Sequence, residues 1–147
     1  MSHTNVIIRD ATATDIPQMA GLMTELGYPT TNEEMAARFE QISRHPDYRT
    51  LLVEKDGKVV GLAGLAKGFY YEHNGGYIRI LAFVISATYR GQGIGKALLS
   101  AIEAWALSQN IKILLLNSGN REERKDAFLF YEHQGFSIKS SGFVKQL

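Results

Sequence analysis

A nine-residue stretch in the second half of the chain has the composition of a phosphate-binding turn. Tyr89–Ala97 reads YRGQGIGKA, with glycines at three alternate positions and a cation on either side of them. Glycine leaves backbone N–H groups open to close approach by a ligand. The apolar run Ile78–Ile85 precedes the stretch and the amphipathic run Ile94–Trp105 follows it. We therefore predict a strand, a turn and a helix whose N-terminus attracts a pyrophosphate.

Two common nucleotide-binding motifs do not fit this stretch. A Walker loop ends in Gly-Lys followed by Ser or Thr, whereas Lys96 is followed by Ala97. A dinucleotide fingerprint has the spacing G-x-G-x-x-G and an acidic residue about 20 positions later. Here the spacing is G-x-G-x-G, and the apolar run near Leu114–Leu116 contains no acid. A plain tight turn is the remaining alternative, and the two flanking cations favour a ligand over it.

The stretch resembles a signature of the GCN5-related N-acetyltransferase (GNAT) family, [Q/R]-x-x-G-x-[G/A], in its residues RGQGIG. A second segment, AFLFYEHQGF at residues 127–136, resembles the family's A-x-x-F-Y-x-x-x-G-F stretch. The C-terminal third is also similar to the end of aminoalkylphosphonate N-acetyltransferases. The resemblance implies that acetyl-coenzyme A binds, with its pyrophosphate held by seven residues: Arg90, Gly91, Gln92, Gly93, Ile94, Gly95 and Lys96.

The resemblance also implies where the reacting end of the coenzyme would lie. The backbone of Phe83, Val84 and Ile85, at the end of the central strand, would splay from the next strand and donate N–H groups to the thioester. Asn120 would contact the pantetheine arm or the ribose-phosphate end, with Asn117 and Ser118 as weaker candidates. A plain turn role is the alternative for these three residues.

The predicted site also needs groups that donate and accept protons. By resemblance, the hydroxyl of Tyr131 faces the coenzyme sulfur as general acid, and a core aromatic is the alternative. The position where many relatives carry a basic glutamate is Ala82. The nearest candidates for the base are Glu72 and His73, which could equally be solvated loop residues.

These observations predict an acetyl-coenzyme A-dependent N-acetyltransferase that transfers acetyl directly to a primary amine, which we expect to belong to a small molecule. Arg79, Lys67 and nearby tyrosines could receive an acceptor with an anionic group. A non-catalytic acyl-coenzyme A sensor, which needs no base, and a protein or peptide N-acetyltransferase are the alternatives. A protein that binds ATP or NAD is disfavoured by the motif spacing.

Length and composition limit the number of domains, the classes of partner and the kinds of metal site that are expected. With 147 residues we expect a single domain spanning positions 1–147. A formal net charge of +1 is too balanced for a nucleic-acid or membrane-surface partner. The chain has no cysteine, which excludes disulfides, thiolate metal sites and a cysteine nucleophile. Its histidines lack metal-ligand spacing, so no metal is expected. The start of the chain lacks a signal-peptide pattern, so we expect a cytoplasmic protein, which could form the homodimers often seen in this family.

Hydrophobic periodicity and turn residues predict a mixed α/β fold in the order β-α-α-β-β-β-α-β-α-β-β, which is also the element order of the family. The sheet is expected to be mostly antiparallel, with a parallel βαβ crossover in the middle. Thr14-Asp15 and Thr31-x-x-Glu34 predict the first two helix starts, and Asp56-Gly57 predicts a tight hairpin. The predicted strands are Val6–Arg9, Tyr48–Glu54, Lys58–Leu65, Tyr77–Ser86, Ile111–Leu116, Phe136–Lys139 and Phe143–Lys145. Predicted helices end near Leu26, Ile42, Trp105 and Gln134.

Overall fold

The computed structural model describes residues 5–118 and 125–147. In chain order the elements are β1 (Ile7–Asp10), α1 (Ile16–Leu26), α2 (Asn32–Ser43), β2 (Tyr48–Lys55), β3 (Lys58–Phe69), β4 (Gly76–Ile85), α3 (Ile94–Ser108), β5 (Leu114–Leu116) and α4 (Lys125–His133). Short 3-10 turns at Ala13–Asp15 and Ala87–Tyr89 precede α1 and follow β4. Residue contacts divide the chain into two compact units, 1–115 and 116–147. A single domain over the whole chain stays a prediction.

The strands form one five-stranded sheet in the order β1-β2-β3-β4-β5. The first three pairings are antiparallel, and β5 runs parallel to β4 after the α3 crossover. The predicted mixed α/β class is thereby confirmed. Because β2 and β4 are both antiparallel to β3, they run in the same direction and end at the same edge of the sheet. None of the helices within the described ranges is long and apolar enough to cross a membrane.

Local sequence determines where α1 and α2 begin and end. Thr31 and Glu34 form the predicted capping box, since each side chain accepts a hydrogen bond from the other residue's backbone N–H, at 3.1 and 2.9 Å. Gly27 ends α1 in the left-handed conformation, with φ +113°. Asp56 and Gly57 have φ of +52° and +77°, as expected for a two-residue hairpin turn.

Asp15, at the start of α1, is a buried carboxylate with a cation beside it. Both guanidinium N–H groups of Arg9 donate to its two oxygens at 2.9 Å, and the Thr12 N–H donates at 2.8 Å. Arg9 also donates to Glu54 on β2 at 3.0 Å. The hydrogen bonds from Arg9, followed by that from Thr12, lower the pKa of Asp15 to about 2. This pair ties the first strand to the first helix.

Two irregularities interrupt the sheet register close to the glycines where a bend was expected. Between β2 and β3, the pairing skips Val60, next to Gly61. Between β3 and β4, the register passes from Gly64↔Ala82 to Leu65↔Ile80, so Leu81 is the extra residue on β4. Leu81 is 51% exposed, although it lies in the middle of the sheet.

The sheet is covered by helices on both faces. On one face, Leu52, Leu62 and Val84 pack with residues of α1 and α2 such as Met19 and Met35. On the opposite face, the guanidinium of Arg49 lies 5.3 Å from the centroid of the Trp105 ring of α3. Four residues of α3 on its inner side are almost fully buried: Ile94, Leu98, Leu99 and Ile102. The core of the first unit therefore lies on both sides of β2, β3 and β4.

The predicted bounds of β3, of the connection that follows it and of β5 were wrong. Strand β3 continues to Phe69, so the connection to β4 covers only residues 70–75 rather than Lys67–Gly76. Pairing with β4 explains the extension, because Lys67, Gly68 and Phe69 continue the antiparallel ladder. Strand β5 has three residues rather than the six of Ile111–Leu116.

The end of α3 explains why β5 starts late. Asn110 has φ +58°, its N–H donates to Leu107 O at 3.0 Å, and the N–H of Ile111 donates to Ala106 O at 2.8 Å. This pair of bonds is a Schellman motif, in which the residue after the left-handed position packs back on the helix. Ile111 is 3% exposed for that reason, and its apolar character belongs to a helix end rather than a strand.

The two short strands predicted at Phe136–Lys139 and Phe143–Lys145 are also not formed. Residues 136–147 adopt neither helix nor strand, and the side chains of Phe143 and Val144 are 95% and 98% exposed. The described sheet consists of β1 to β5 and does not include this segment, and a strand without a partner is not stable in water.

Candidate active site

The predicted phosphate-binding turn lies between β4 and α3 and presents its backbone N–H groups. Gly91 and Gly93 have φ of +79° and +80°, a conformation that favours glycine. The first N–H of α3 with a backbone partner is that of Ala97, which donates to Gly93 O at 3.1 Å. Among the described residues, Gly91 and the four residues 93–96 have no hydrogen-bond acceptor for their N–H groups. These donors are unpaired at the positive end of a fifteen-residue helix.

Within residues 5–118 and 125–147, three cations lie at or beside this turn. The Nε of Arg90 donates to Ile85 O at 3.0 Å, which holds its guanidinium beside the end of β4. Lys96 is exposed in the first turn of α3. Lys55, at the end of β2, donates from Nζ to Gln92 Oε1 at 2.8 Å. None of the three makes an ion pair with a carboxylate in residues 5–118 or 125–147.

The carboxylate of Glu25, in the last turn of α1, contacts the segment that leads into the turn. It accepts hydrogen bonds from Ser86 Oγ at 3.0 Å and from the Ala87 N–H at 2.9 Å. Its partners belong to the 3-10 turn that leaves β4, not to the N-terminus of α3. Glu25 therefore connects the first helix with the segment that leads into the glycines.

The strand end predicted to face the thioester is paired on one side with β3. Phe83, Val84 and Ile85 lie opposite Ala63, Leu62 and Gly61. On the other side, the Ile78 N–H donates to Ile113 O at 3.0 Å, near the beginning of β4. Since β5 starts there and has only three residues, residues 83–85 extend beyond it.

The candidates for the base lie at the other end of β4. Glu72 and His73 are exposed in the connection that precedes Gly76, and the His73 ring contacts Tyr70 at 5.2 Å between centroids. Phe83 lies seven positions after Gly76 along the extended strand, which corresponds to roughly 20 Å. Ala82, where many relatives carry a glutamate, faces Gly64 across the sheet. The structure does not bring Glu72 or His73 beside residues 83–85.

The first half of β4 carries an aromatic and cationic surface. The guanidinium of Arg79 lies 5.8 Å from the Tyr77 ring, and Tyr70 packs against the same ring at 5.1 Å. Gly68 lies directly under Tyr77, whose ring atoms would approach an added Cβ to 2.5 Å. Arg79 is half-buried, and no carboxylate in the described part of the chain pairs with it.

The second unit carries the predicted general acid. Tyr131 is half-buried in α4, and its ring contacts Phe130 and Phe136 at 5.6 and 5.7 Å between centroids. The Oγ of Ser118 is shielded from solvent and meets no hydrogen-bond partner among the described residues. Asn120 lies outside the described residues. Across these same residues, no group of three or more histidine or acidic side chains is placed to hold a metal ion.

A family model described as "Acetyltransferase (GNAT) family" matches residues 16–136. The chain belongs to the GNAT acetyltransferase family. Members of the family that resemble it are named acetyltransferases, and this GNAT chain is an acyltransferase of the N-acetyltransferase type.

Two curated proteins illustrate the relationship of this GNAT chain to others. An aminoalkylphosphonate N-acetyltransferase of Salmonella typhimurium is 29% identical over 95% of this chain and 90% of its own length. The similarity thus extends far beyond the C-terminal third. An "IAA acetyltransferase" of Azospirillum brasilense is 34% identical over 63% of the chain, but the match spans only 56% of that protein.

Solved structures agree with the GNAT fold. A GNAT family acetyltransferase of Staphylococcus aureus has a TM-score of 0.83 and 39% identity, with 100% of both chains covered. An aminoglycoside N-acetyltransferase solved in complex with coenzyme A has a TM-score of 0.84, covering 100% of this chain and 96% of that one. At 17% identity, the second comparison supports the fold alone.

Two residues beside the GNAT turn could not have been selected from sequence. Lys55 and Glu25 are separated from their partners by 37 and 61–62 positions. Lys55 looks like an ordinary residue flanking a hairpin, and Glu25 like an exposed helix residue. One hint for Lys55 was available, because in the mostly antiparallel sheet that was predicted, β2 and β4 run in the same direction when both pair with β3.

Proposed function

We propose that this chain is an acetyl-coenzyme A-dependent N-acetyltransferase that transfers acetyl directly to the primary amine of a small molecule. The observation that carries the proposal is the turn between β4 and α3, with its unpaired N–H groups at Gly91 and 93–96. Unpaired backbone donors at a helix N-terminus are suited to phosphate oxygens. The aminoglycoside acetyltransferase of the same fold was solved with coenzyme A, which agrees with this ligand.

The residues present fit a bound coenzyme. The backbone of residues 90–96 would hold the pyrophosphate, with Arg90 and Lys96 supplying positive charge. The backbone of Phe83, Val84 and Ile85 would donate to the carbonyl oxygen of the thioester. N–H donors already placed at a developing oxyanion contribute about 3–4 kcal/mol to lowering a barrier of this kind. Asn120 stays a prediction for the pantetheine or ribose-phosphate end.

In the proposed reaction, the amine nitrogen attacks the thioester carbonyl carbon, a C–N bond forms and the C–S bond breaks. The amine loses a proton and the departing sulfur gains one. An alkyl ammonium with a pKa near 10.4 must first be neutralised, which costs about 4.6 kcal/mol at pH 7. The chain needs a route for this proton, and Ala82 offers none. If Glu72 or His73 accepts this proton, a chain of water molecules must connect that residue with the thioester end of β4.

We propose Tyr131 as the group that donates to the departing sulfur. A phenol with a pKa near 10 is a weaker acid than a thiol near 8.5, so complete transfer is uphill by about 2 kcal/mol. A hydrogen bond to the developing thiolate still lowers the barrier. The ring contacts of Tyr131 with Phe130 and Phe136 fix its orientation within α4 and the turn after it.

We further propose that the acceptor carries an anionic group. Arg79 supports this, because its half-buried guanidinium lies beside Tyr77 and no carboxylate of the described chain neutralises it. The relative from Salmonella typhimurium is named for an aminoalkylphosphonate, which combines an amine with an anion. Lys67, which donates to Gln109 at 3.3 Å, lies opposite Ile78 and therefore on the other face of the sheet from Arg79, so this part of the proposal rests on Arg79. A cytoplasmic location and a homodimer remain proposals that rest on the resemblance to the family.

A screen of amines with acetyl-coenzyme A tests the proposal. The chain has no cysteine, so a thiol reagent reports only the coenzyme A that is released. The panel should pair each anionic amine with its uncharged analogue, for example an aminoalkylphosphonate with the matching alkylamine. Thiol release with small amines is expected, and a preference for the anionic member should be lost in Arg79→Met. If the chain binds the coenzyme but releases no thiol with any amine or peptide, it is an acyl-coenzyme A sensor instead. A sensor needs no base, which agrees with alanine at position 82.

A further inference from the structure

Among the residues that the structure describes, Lys55 is the cation that reaches the glycine turn from another strand. It is the last residue of β2, and its Nζ donates to Gln92 Oε1 at 2.8 Å. The sheet places it there because β2 and β4 run in the same direction, so the end of β2 and the turn after β4 share an edge. Its alternation with Leu51 and Val53 directs the side chain to the face that α3 covers.

The charge of Lys55 is not neutralised within the described chain. Its partner Gln92 is a neutral amide, and no carboxylate lies within ion-pair distance. Its side chain is half-buried, which limits the contact of the stem with water and holds the ammonium in one place. Gln92 stands between Gly91 and Gly93, the two residues whose conformation opens the turn. An ammonium fixed at this point adds to the field of the helix N-terminus.

The acidic groups nearby do not cancel this charge. The carboxylate of Glu25 accepts hydrogen bonds from Ser86 and Ala87, which precede the turn. Glu54 accepts from Arg9, and Asp56, in the hairpin after Lys55, forms no ion pair with it. Within the described chain, three cations that form no ion pair are therefore close in sequence or contact to the turn: Lys55, Arg90 and Lys96.

We infer that Lys55 binds a phosphoryl oxygen of the coenzyme and is a third phosphate-binding cation of the site. This inference rests on the proposed coenzyme binding and extends it to a residue outside the glycine motif. The phosphoryl group is one of two in the same ligand, the pyrophosphate or the 3′-phosphate. Gln92 holds the ammonium of Lys55 beside the turn, where a bound phosphoryl oxygen would come within its reach.

The experiment measures the affinity of coenzyme A and of 3′-dephospho-coenzyme A by calorimetry at two salt concentrations. Lys55→Met keeps most of the side-chain stem and removes the charge, whereas Lys55→Arg keeps the charge. Lys58→Met is the matched control, because Lys58 lies opposite Lys55 across the hairpin and no contact joins it to the turn. Because the proposed contact is a charge-assisted hydrogen bond near the surface, Lys55→Met should lower the affinity for coenzyme A by about five- to twentyfold.

The outcomes separate the claims. If Lys55→Met lowers the affinity for both ligands equally, Lys55 binds the pyrophosphate. If it lowers the affinity for coenzyme A alone, Lys55 binds the 3′-phosphate. Lys55→Arg should bind within about threefold of the unmodified protein, and Lys55→Met should show a weaker salt dependence. A Lys55→Met affinity equal to that of the unmodified protein, or a loss matched by Lys58→Met, would overturn the inference while leaving the coenzyme site intact. If the unmodified protein binds neither ligand, the proposed function itself fails.

Discussion

Replacing Gly91 with alanine separates a ligand-binding turn from a turn that only shapes the chain. Gly91 has φ +79°, and an added Cβ would meet no protein atom within 4 Å. The substitution therefore causes no clash, and its effect on the free energy of unfolding is the cost of a left-handed alanine, about 1–2 kcal/mol. For a chain of this size, that lowers the melting temperature by about 2–8 °C.

The effect on coenzyme affinity should be larger than this strain. The open space beside Gly91 is where the proposed phosphate approaches, so the new methyl group would displace it from at least one N–H donor. A hydrogen bond to a charged group contributes about 1.5–3 kcal/mol. Gly91→Ala should therefore lower the affinity for coenzyme A by about ten- to a hundredfold.

Gly75→Ala is the matched control for backbone strain. Gly75 has φ +86°, and it too has no atom within 4 Å of an added Cβ. It precedes β4, so roughly 30 Å of strand separate it from the turn at the other end. Both variants should lose a similar amount of thermal stability, measured by circular dichroism, but only Gly91→Ala should lose affinity in calorimetry. Equal affinities for the two variants would refute the assignment of the turn as a phosphate site.

Three further predictions test the remaining parts of the site and fold. Tyr131→Phe should lower kcat by at least tenfold with little change in coenzyme affinity, and an unchanged kcat in the thiol assay would remove Tyr131 from the mechanism. The lowered pKa of Asp15 gives stability that is complete above about pH 4 and lost as the pH falls through about 2, so Asp15→Asn should reduce the free energy of unfolding by about 2 kcal/mol at pH 7. In urea titrations this difference should disappear near pH 2, and a difference that persists there would contradict the linkage. Glu25→Ala should weaken coenzyme binding several-fold while Glu25→Gln, which retains an acceptor for the Ala87 N–H, restores it; equal behaviour of the two would show that the hydrogen bond does not hold the turn.

Features that depend on neighbouring residues could be predicted from the sequence. The capping box at Thr31, the Asp56-Gly57 turn and the start of α3 after Gly93 all depend on hydrogen bonds or φ values within four residues. For the same reason the turn between β4 and α3 could be placed before its structure was described. The roles of its residues in binding the coenzyme remain predictions.

Features that depend on distant partners could not be predicted. The apolar Ile111 fits both a strand and the residue that packs back on a helix end, and the hydrogen bond to Ala106 decides between them. The extension of β3 to Phe69 depends on pairing with β4, and the contact of Lys55 with Gln92 depends on the strand order. Alternating hydrophobicity alone favoured strands near Phe143, where no partner strand lies among the described residues.

The extra residue Leu81 has a geometric consequence for the whole of β4. Ile80 lies opposite Leu65, on the side of the sheet where α3 packs, while Val84 lies opposite Leu62, on the side of α1 and α2. Two positions with the same parity along one strand thus contribute to two separate hydrophobic layers. Removal of Leu81 would make Ile80 and Ala82 consecutive, and the ordinary alternation of a strand would then leave both halves of β4 facing the layers that they face now. A one-residue deletion at this point should consequently be tolerated better than a deletion elsewhere in the paired part of β4, which would turn one half of the strand towards the wrong layer.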